Sequence, residues 1–150
     1  MDKTVLAYID INDKYLLLYR NKEKGDINQG KWLGVGGHLE EGETPDQALI
    51  REIKEETNLN VVKYQYRALL YFNCDDYSEI MYLYTVSEVK GEIGECDEGD
   101  LKFFDKKEIF DLPMWEADKL FLKKLLNNDP YFEMELNYSG SKLLSVKYLK

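Results

Sequence analysis

Apolar residues cluster in two short stretches near the start of the chain, residues 3–10 (KTVLAYID) and 14–20 (KYLLLYR), separated by Ile11, Asn12 and Asp13. That spacing predicts two strands joined as a hairpin. Residues 21–31 (NKEKGDINQGK) turn polar and glycine-bearing, which predicts a surface loop, and WLGVGGHL then returns as a short strand. Thr44-Pro45-Asp46-Gln47 has the grammar of a helix start, with a Thr cap, Pro at the first helical position and Gln placed to close a capping box. The helix is expected to run to about Thr57, where Asn58, which tolerates the left-handed conformation, ends it. Residues 61–73 and 79–88 read as two longer strands and 101–105 as another. A second helix is expected over Glu116 to Asn127, with Leu120, Phe121, Leu125 and Leu126 as its apolar stripe, before a final hairpin turning at Ser139-Gly140. The count of elements implies a mixed sheet with helices.

A chain of 150 residues with 44% hydrophobic content can bury one sizeable core, so residues 1–150 are expected to form a single domain. The amino end carries charges at Asp2, Lys3, Asp10, Asp13 and Lys14 and no continuous apolar run, so neither a signal peptide nor a membrane span is expected, and the location is expected to be cytoplasmic. Cys74 and Cys96 form no CxxC pair and fit reduced, structural thiols. The net charge of −9 gives no attraction for a nucleic-acid polymer. A small anion could still bind if metal ions neutralised its approach.

Six glutamates lie between Glu40 and Glu56. Each helical residue advances by roughly 100°, so Glu52, Glu55 and Glu56, at i, i+3 and i+4, are expected to share a face and repel one another. Leu49, Ile50 and Ile53 are read as the opposite, sheet-packing side. Glutamate-rich helices with interspersed Lys and Arg are most often solvated faces. The other reading is a divalent-cation site: hard oxygens on a rigid element suit Mg²⁺, with Mn²⁺ as an alternative, and bound ions would relieve the repulsion. Arg51 falls one turn before Glu55 and, with Glu43, could fix the carboxylates by bidentate pairing.

The spacing favours the second reading. Gly37, five residues, Glu43, seven residues, Arg51-Glu52-Ile53, one residue, Glu55-Glu56, one residue and Asn58-Leu59 follow in order. This closely resembles the Nudix box, the signature of hydrolases that cleave nucleoside diphosphates linked to another group. One fixed position departs, Asn58 standing where the family has Gly, and as a helix terminator it touches no ligand. The resemblance implies an α/β (α+β) fold, an α/β/α sandwich around a mixed β-sheet. It implies that Glu52, Glu55 and Glu56 bind metal ions with help from the Gly37 carbonyl, while Glu43 and Arg51 orient the cluster. A further carboxylate often comes from a later loop, and in CDEGDLKFF Glu98 is placed best, ahead of Asp97, Glu95 and Asp100. Glu55 or Glu56 would take the proton, although residues alone do not separate ligand from base. His38 occupies a variable position of the box and is read as incidental.

Outside the box, KWLGVGGHLEEGE and MWEADKLFLKKLL look like the MutT-type 8-oxo-dGTP diphosphatases. In animal members a Met-Trp pair followed by two acidic residues forms the purine pocket. Here Met114-Trp115 is followed by Asp118 as one acid and by Ala117 in place of the other, while Leu33 stands where those enzymes use an Asn for the base. Trp115 could stack on a purine and Asp118 accept from a guanine-type edge, and Arg20 matches a basic residue that contacts phosphates in relatives. Equally ordinary roles are a core anchor for Trp115, a first-turn helix charge for Asp118 and a solvated strand end for Arg20. The function expected is Mg²⁺-dependent release of pyrophosphate from a purine nucleoside triphosphate. Hydrolysis of a nucleotide sugar or dinucleoside polyphosphate, or non-catalytic nucleotide sensing, remains open.

Overall fold

The apolar run at the amino end forms β1 (Asp2–Ile11), which passes through Asn12 and Asp13 into β2 (Lys14–Arg20). Both turn residues are left-handed, with φ of 54° and 63°, the two positive angles that a two-residue type I′ hairpin turn requires. The structure, a computed structural model, describes residues 1–22 and 25–150. Glu23 and Lys24, within the expected surface loop, lie outside the described residues. After that loop come β3 (Trp32–Leu33), β4 (Val35–His38), α1 (Pro45–Thr57), β5 (Asn60–Cys74), β6 (Tyr77–Lys90) and β7 (Gly99–Asp105). A 3-10 turn (Ile109–Asp111), which the sequence reading did not anticipate, leads to α2 (Glu116–Leu126), β8 (Phe132–Ser139) and β9 (Lys142–Tyr148).

The strands join in one sheet ordered β3-β2-β1-β6-β5-β8-β9, with β4 added on β1 and β7 on β2. It is mixed, as expected: β1 runs parallel to β6 and β5 to β8, and the other pairings are antiparallel. The stretch WLGVGGHL is two strands rather than one. Trp32 and Leu33 pair with β2, whereas Val35 to His38 cross to β1. The break falls at Gly34, where a Cβ would stand 2.6 Å from the Ala7 carbonyl oxygen, so only glycine lets the chain pass that close.

Alternation along β1 assigns its two faces. Val5, Ala7 and Ile9 pack with Leu49 and Ile53 of α1, while Tyr8, with Leu6 beside it, packs in the second cluster with Phe121 and Leu122 of α2. The sheet is thus covered by a helix on each side, the α/β/α arrangement expected. Fully burying a side chain such as Leu49 or Ile53 contributes about 1.5–3 kcal/mol relative to leaving it exposed. Along α2, Leu122 joins the buried stripe, and Leu120 and Leu126 are only partly buried.

The helical face of α1 corrects the sequence reading. Ile50 is 43% exposed and does not pack on the sheet, whereas Glu56 is only 7% exposed. With Leu49 as the zero of a helical wheel, Ile53 falls at about +40°, Glu56 at about −20°, Glu52 at about −60°, Glu55 at about −120° and Ile50 at about +100°. The acidic ridge therefore overlaps the buried arc instead of opposing it.

Both ends of α1 are closed as expected. The Thr44 hydroxyl accepts from the Gln47 amide at 3.2 Å and the Gln47 side chain accepts from the Thr44 amide at 3.0 Å. Asn58 closes the other end with φ of 67°. Both cysteines are buried and unpaired among the described residues, and no helix there is long and apolar enough to cross a membrane. Because the capping box satisfies two otherwise orphaned donors, Thr44→Ala is expected to lower unfolding free energy by about 1 kcal/mol in a urea titration. An unchanged midpoint would show that the cap is redundant.

Candidate active site

One guanidinium organises the acidic side chains of α1. Arg51 donates from Nε and Nη2 to the two carboxylate oxygens of Glu43 at 2.7 and 2.8 Å, a bidentate fork. Its Nη1 donates to Glu52 at 2.8 Å and to Glu55 at 3.2 Å, and its Nη2 also reaches the His38 carbonyl at 3.0 Å. The fork from Arg51, together with a hydrogen bond from the Glu40 amide, holds the Glu43 carboxyl down at about 2. The expected orienting pair, Glu43 and Arg51, is thus brought together.

The three helix glutamates occupy three different environments. Glu55 points outward, its side chain 57% exposed, whereas that of Glu52 is 13% exposed. Burial pushes the Glu52 carboxyl up, opposed by Arg51. Glu56 turns inward to accept from the Gly36 amide at 3.0 Å. Burial, and then the neighbouring carboxyls of Glu98 and Glu52, raise Glu56 well above the usual carboxylate range.

Backbone geometry brings the remaining expected ligands to this cluster. A Cβ at Gly37 would stand 2.6 Å from the Glu52 carboxyl carbon and both its oxygens, so β4 approaches that carboxylate as closely as a glycine permits. Glu98 immediately precedes β7, and the register pairs Gly99 with Arg20. That pairing places Glu98 Oε2 3.5 Å from Arg20 Nη1. The same oxygen is buried with no hydrogen-bond donor among the described residues. Hard oxygens, two raised carboxyls and an unsatisfied buried oxygen form a donor set that fits Mg²⁺ or Mn²⁺. Among the described residues the carboxylates do not converge as a closed cage, and Glu52 and Glu55 each give one oxygen to Arg51.

A cleft of about 340 Å³ opens from Gly36 and Gly37, and its lining includes Arg20, Leu33, Trp115 and Asp118. All four expected substrate-side residues therefore line one cavity. Arg20 is paired at 2.8 Å with Asp26. Trp115 is 6% exposed and donates from its indole nitrogen to Asn28 at 2.7 Å. Its ring meets Phe72 and Tyr138 edge-on, and Lys31 Nζ lies 4.8 Å from its centroid. Ala117 is buried in the core, where its amide donates to the Tyr138 hydroxyl at 2.8 Å.

Sequence reasoning missed Thr4, Asn28, Phe72, Glu79 and Met81, which also line the cleft. Thr4 donates to Glu79 at 2.7 Å across strands β1 and β6. No local motif marks these residues: strand pairing gathers Thr4, Phe72, Glu79 and Met81, and the loop after β2 brings Asn28. His38 faces Asp2 at 3.5 Å.

Helix-borne carboxylates fixed by an arginine at one end of a sheet-backed cleft are the equipment of a hydrolase that works on phosphate through hard oxygen ligands. Residues 2–125 match the NUDIX domain family, and the chain belongs to that family of hydrolases. An uncharacterised Nudix hydrolase of Bacillus subtilis (strain 168) is 29% identical over 98% of this chain and 94% of its own length. The oxidized purine nucleoside triphosphate hydrolase of Danio rerio is 32% identical over 69% of this chain and 68% of its own length. A MutT crystal structure from Bacillus halodurans superposes with a TM-score of 0.90 at 24% identity, over 99% of this chain and 98% of that one, and shares the fold. The chain is accordingly an enzyme. Nudix hydrolases generally use divalent metal ions such as Mg²⁺.

Asp118 is buried at the wall of the cleft, and desolvation pushes its carboxyl up to about 8. In an unfolded chain an aspartate titrates near about 4. Between these values the folded protein keeps a proton that the unfolded chain has released. Stability from this group is therefore fullest below about pH 4, falls by up to about 1.4 kcal/mol per pH unit, and levels off above the folded value. Asp118→Asn is expected to gain on the wild type in unfolding free energy as pH rises from about 5 to about 8. A difference that stays constant in urea titrations across that range would show that the carboxyl is not held neutral.

Proposed function

We propose that residues 1–150 form one Nudix domain that hydrolyses a purine nucleoside triphosphate, 8-oxo-dGTP or a related purine deoxynucleotide, to the nucleoside monophosphate and pyrophosphate. What carries the reading is a cleft whose lining runs from Gly36 and Gly37, the backbone that abuts Glu56 and Glu52, to Trp115 and Asp118. Its two ends suit the two halves of a nucleotide. The names of the Danio rerio relative and of an 8-oxo-dGTP diphosphatase from Proteus vulgaris, 34% identical over 48% of this chain, support the substrate class.

Glu52, Glu55, Glu56 and Glu98, with the Gly37 carbonyl, would hold Mg²⁺ or Mn²⁺. Such ions supply charge screening at the phosphate oxygens and a lowered pKa for water. The chain's own part is positional and protolytic. Arg51 and Glu43 hold Glu52 and Glu55 in place, Glu55 or Glu56 accepts the proton of the attacking water, and Arg20 stands on the phosphate side. At the other end Trp115 offers its ring to the base, Leu33 supplies an apolar wall, and Asp118 meets the base edge. A carboxyl held neutral at pH 7 can donate as well as accept one hydrogen bond, which suits a purine edge carrying both kinds of group.

The deciding assay is hydrolysis in Mg²⁺ across canonical and oxidised nucleoside triphosphates, nucleotide sugars and dinucleoside polyphosphates, with product identity locating the phosphorus attacked. Release of monophosphate and pyrophosphate from a purine triphosphate is expected. Preferred turnover of a nucleotide sugar or dinucleoside polyphosphate would move the substrate, and no turnover of any would leave a sensor. Glu55→Gln or Glu56→Gln is expected to cut kcat by roughly 10²–10⁴ with the fold retained, because an amide neither accepts a proton nor binds Mg²⁺ well. Full activity in both variants would remove the mechanism. Trp115→Ala is expected to raise KM more for purine than for pyrimidine triphosphates, and equal effects would make Trp115 a packing residue.

A further inference from the structure

The loop between β2 and β3 is tied to the cleft through side chains. Arg20 Nη2 lies 2.8 Å from Asp26, whose other carboxylate oxygen accepts from the Asn28 amide at 3.2 Å. The Asn28 side-chain oxygen in turn accepts from the Trp115 indole N–H at 2.7 Å. Backbone bonds close the same loop, the Arg20 amide donating to the Lys31 carbonyl at 3.1 Å and the Gly30 amide to the Arg20 carbonyl at 2.8 Å. Asp26 and Asn28 are partly buried and both line the cleft. The route from Arg20 to the indole is thus one ion pair and two hydrogen bonds long.

A tryptophan can rotate about two side-chain torsions, and edge contacts with Phe72 and Tyr138 restrain the ring without fixing its in-plane direction. A short hydrogen bond to the one N–H of the indole does fix it. Trp115 stands at the N-cap position of α2, and its one N–H, a donor that cannot cap the helix, goes to Asn28. We propose that Asn28 is the positioning residue of Trp115: it holds the indole ring at the angle that receives the base, and the Arg20–Asp26 pair holds Asn28. This rests on the reading of Trp115 as the base-contacting side chain. Arg20 then serves both ends of the cleft, because its other guanidinium nitrogen faces Glu98 at 3.5 Å.

The test uses the full chain with dGTP and 8-oxo-dGTP as probes, in steady-state assays with Mg²⁺ and in tryptophan quenching. Trp32→Phe makes Trp115 the sole tryptophan for the second readout, read with excitation that spares the tyrosines, since the chain has two tryptophans. Asn28→Leu removes the acceptor and is expected to raise KM roughly tenfold with kcat changed less than about twofold, the scale of one lost hydrogen bond. It is also expected to increase acrylamide quenching of Trp115. Asn28→Asp keeps an acceptor and is expected to restore both. In a Trp115→Phe background, which has no N–H to receive, Asn28→Leu is expected to add nothing.

Asn28→Asp as damaging as Asn28→Leu, an Asn28→Leu effect undiminished in the Trp115→Phe background, or a loss confined to kcat would each overturn the proposal. Failure of the underlying reading looks different. If Trp115 does not meet the base, Trp115→Ala leaves KM unchanged while quenching still reports whether Asn28 holds the ring.

Discussion

Without the Arg51 guanidinium the acidic helix would be a strained object. Glu43, Glu52 and Glu55 each give it at least one oxygen, and the His38 carbonyl gives another, so a single positive charge offsets carboxylates from α1 and from the segment leading into it. Lysine could not do the same, because the planar fork that grips both oxygens of Glu43 while leaving Nη1 for Glu52 and Glu55 is a property of guanidinium. The pairing also has a mechanical consequence. It draws the segment after β4 against the helix and so keeps Gly37 beside the Glu52 carboxylate.

That arrangement survives because the strand behind it cannot shift. β1 is buried on both faces, packing on α1 through Val5, Ala7 and Ile9 and in the other cluster through Tyr8. β4 is bonded to β1 from Thr4–His38 to Ala7–Val35. The position of the Gly36 amide, and hence of Glu56, is set by the sheet. At the opposite end of the cleft the fixed element is the start of α2, whose N-cap Trp115 and first-turn Asp118 line the cavity. Among the described residues Asp118 has no side-chain hydrogen-bond partner, and desolvation pushes its carboxyl up.

Much of the plan can be read along the chain, because it depends on neighbours in sequence. Capping at Thr44, the left-handed Asn58, the Asn12-Asp13 turn, the strands and both helices follow from local rules, and the spacing from Gly37 to Leu59 carries the family. The Glu43–Arg51 pairing was legible through the spacing of the box, whereas its sharing of the guanidinium with Glu52 and the His38 carbonyl was not. Less legible was the helical face: Ile50 looked inward by its chemistry, yet the wheel puts Glu56 nearer to Leu49 than Ile50 is, and the sheet buries whatever faces it.

By itself the sequence determined the elements, the family and the identity of the carboxylates, all consequences of short-range geometry and side-chain type. Only tertiary structure decided what each group experiences. Glu52, Glu55 and Glu56 are one amino acid at neighbouring positions, yet one is held by Arg51 and mostly buried, one faces solvent and one is buried against the Gly36 amide and Glu98. The Asn28–Trp115 bond joins residues 87 positions apart, and no local pattern encodes it. Solvent access and the direction of a hydrogen bond depend on atoms brought together from distant parts of the chain, and these became fixed when the sheet closed and the helices docked on its two faces.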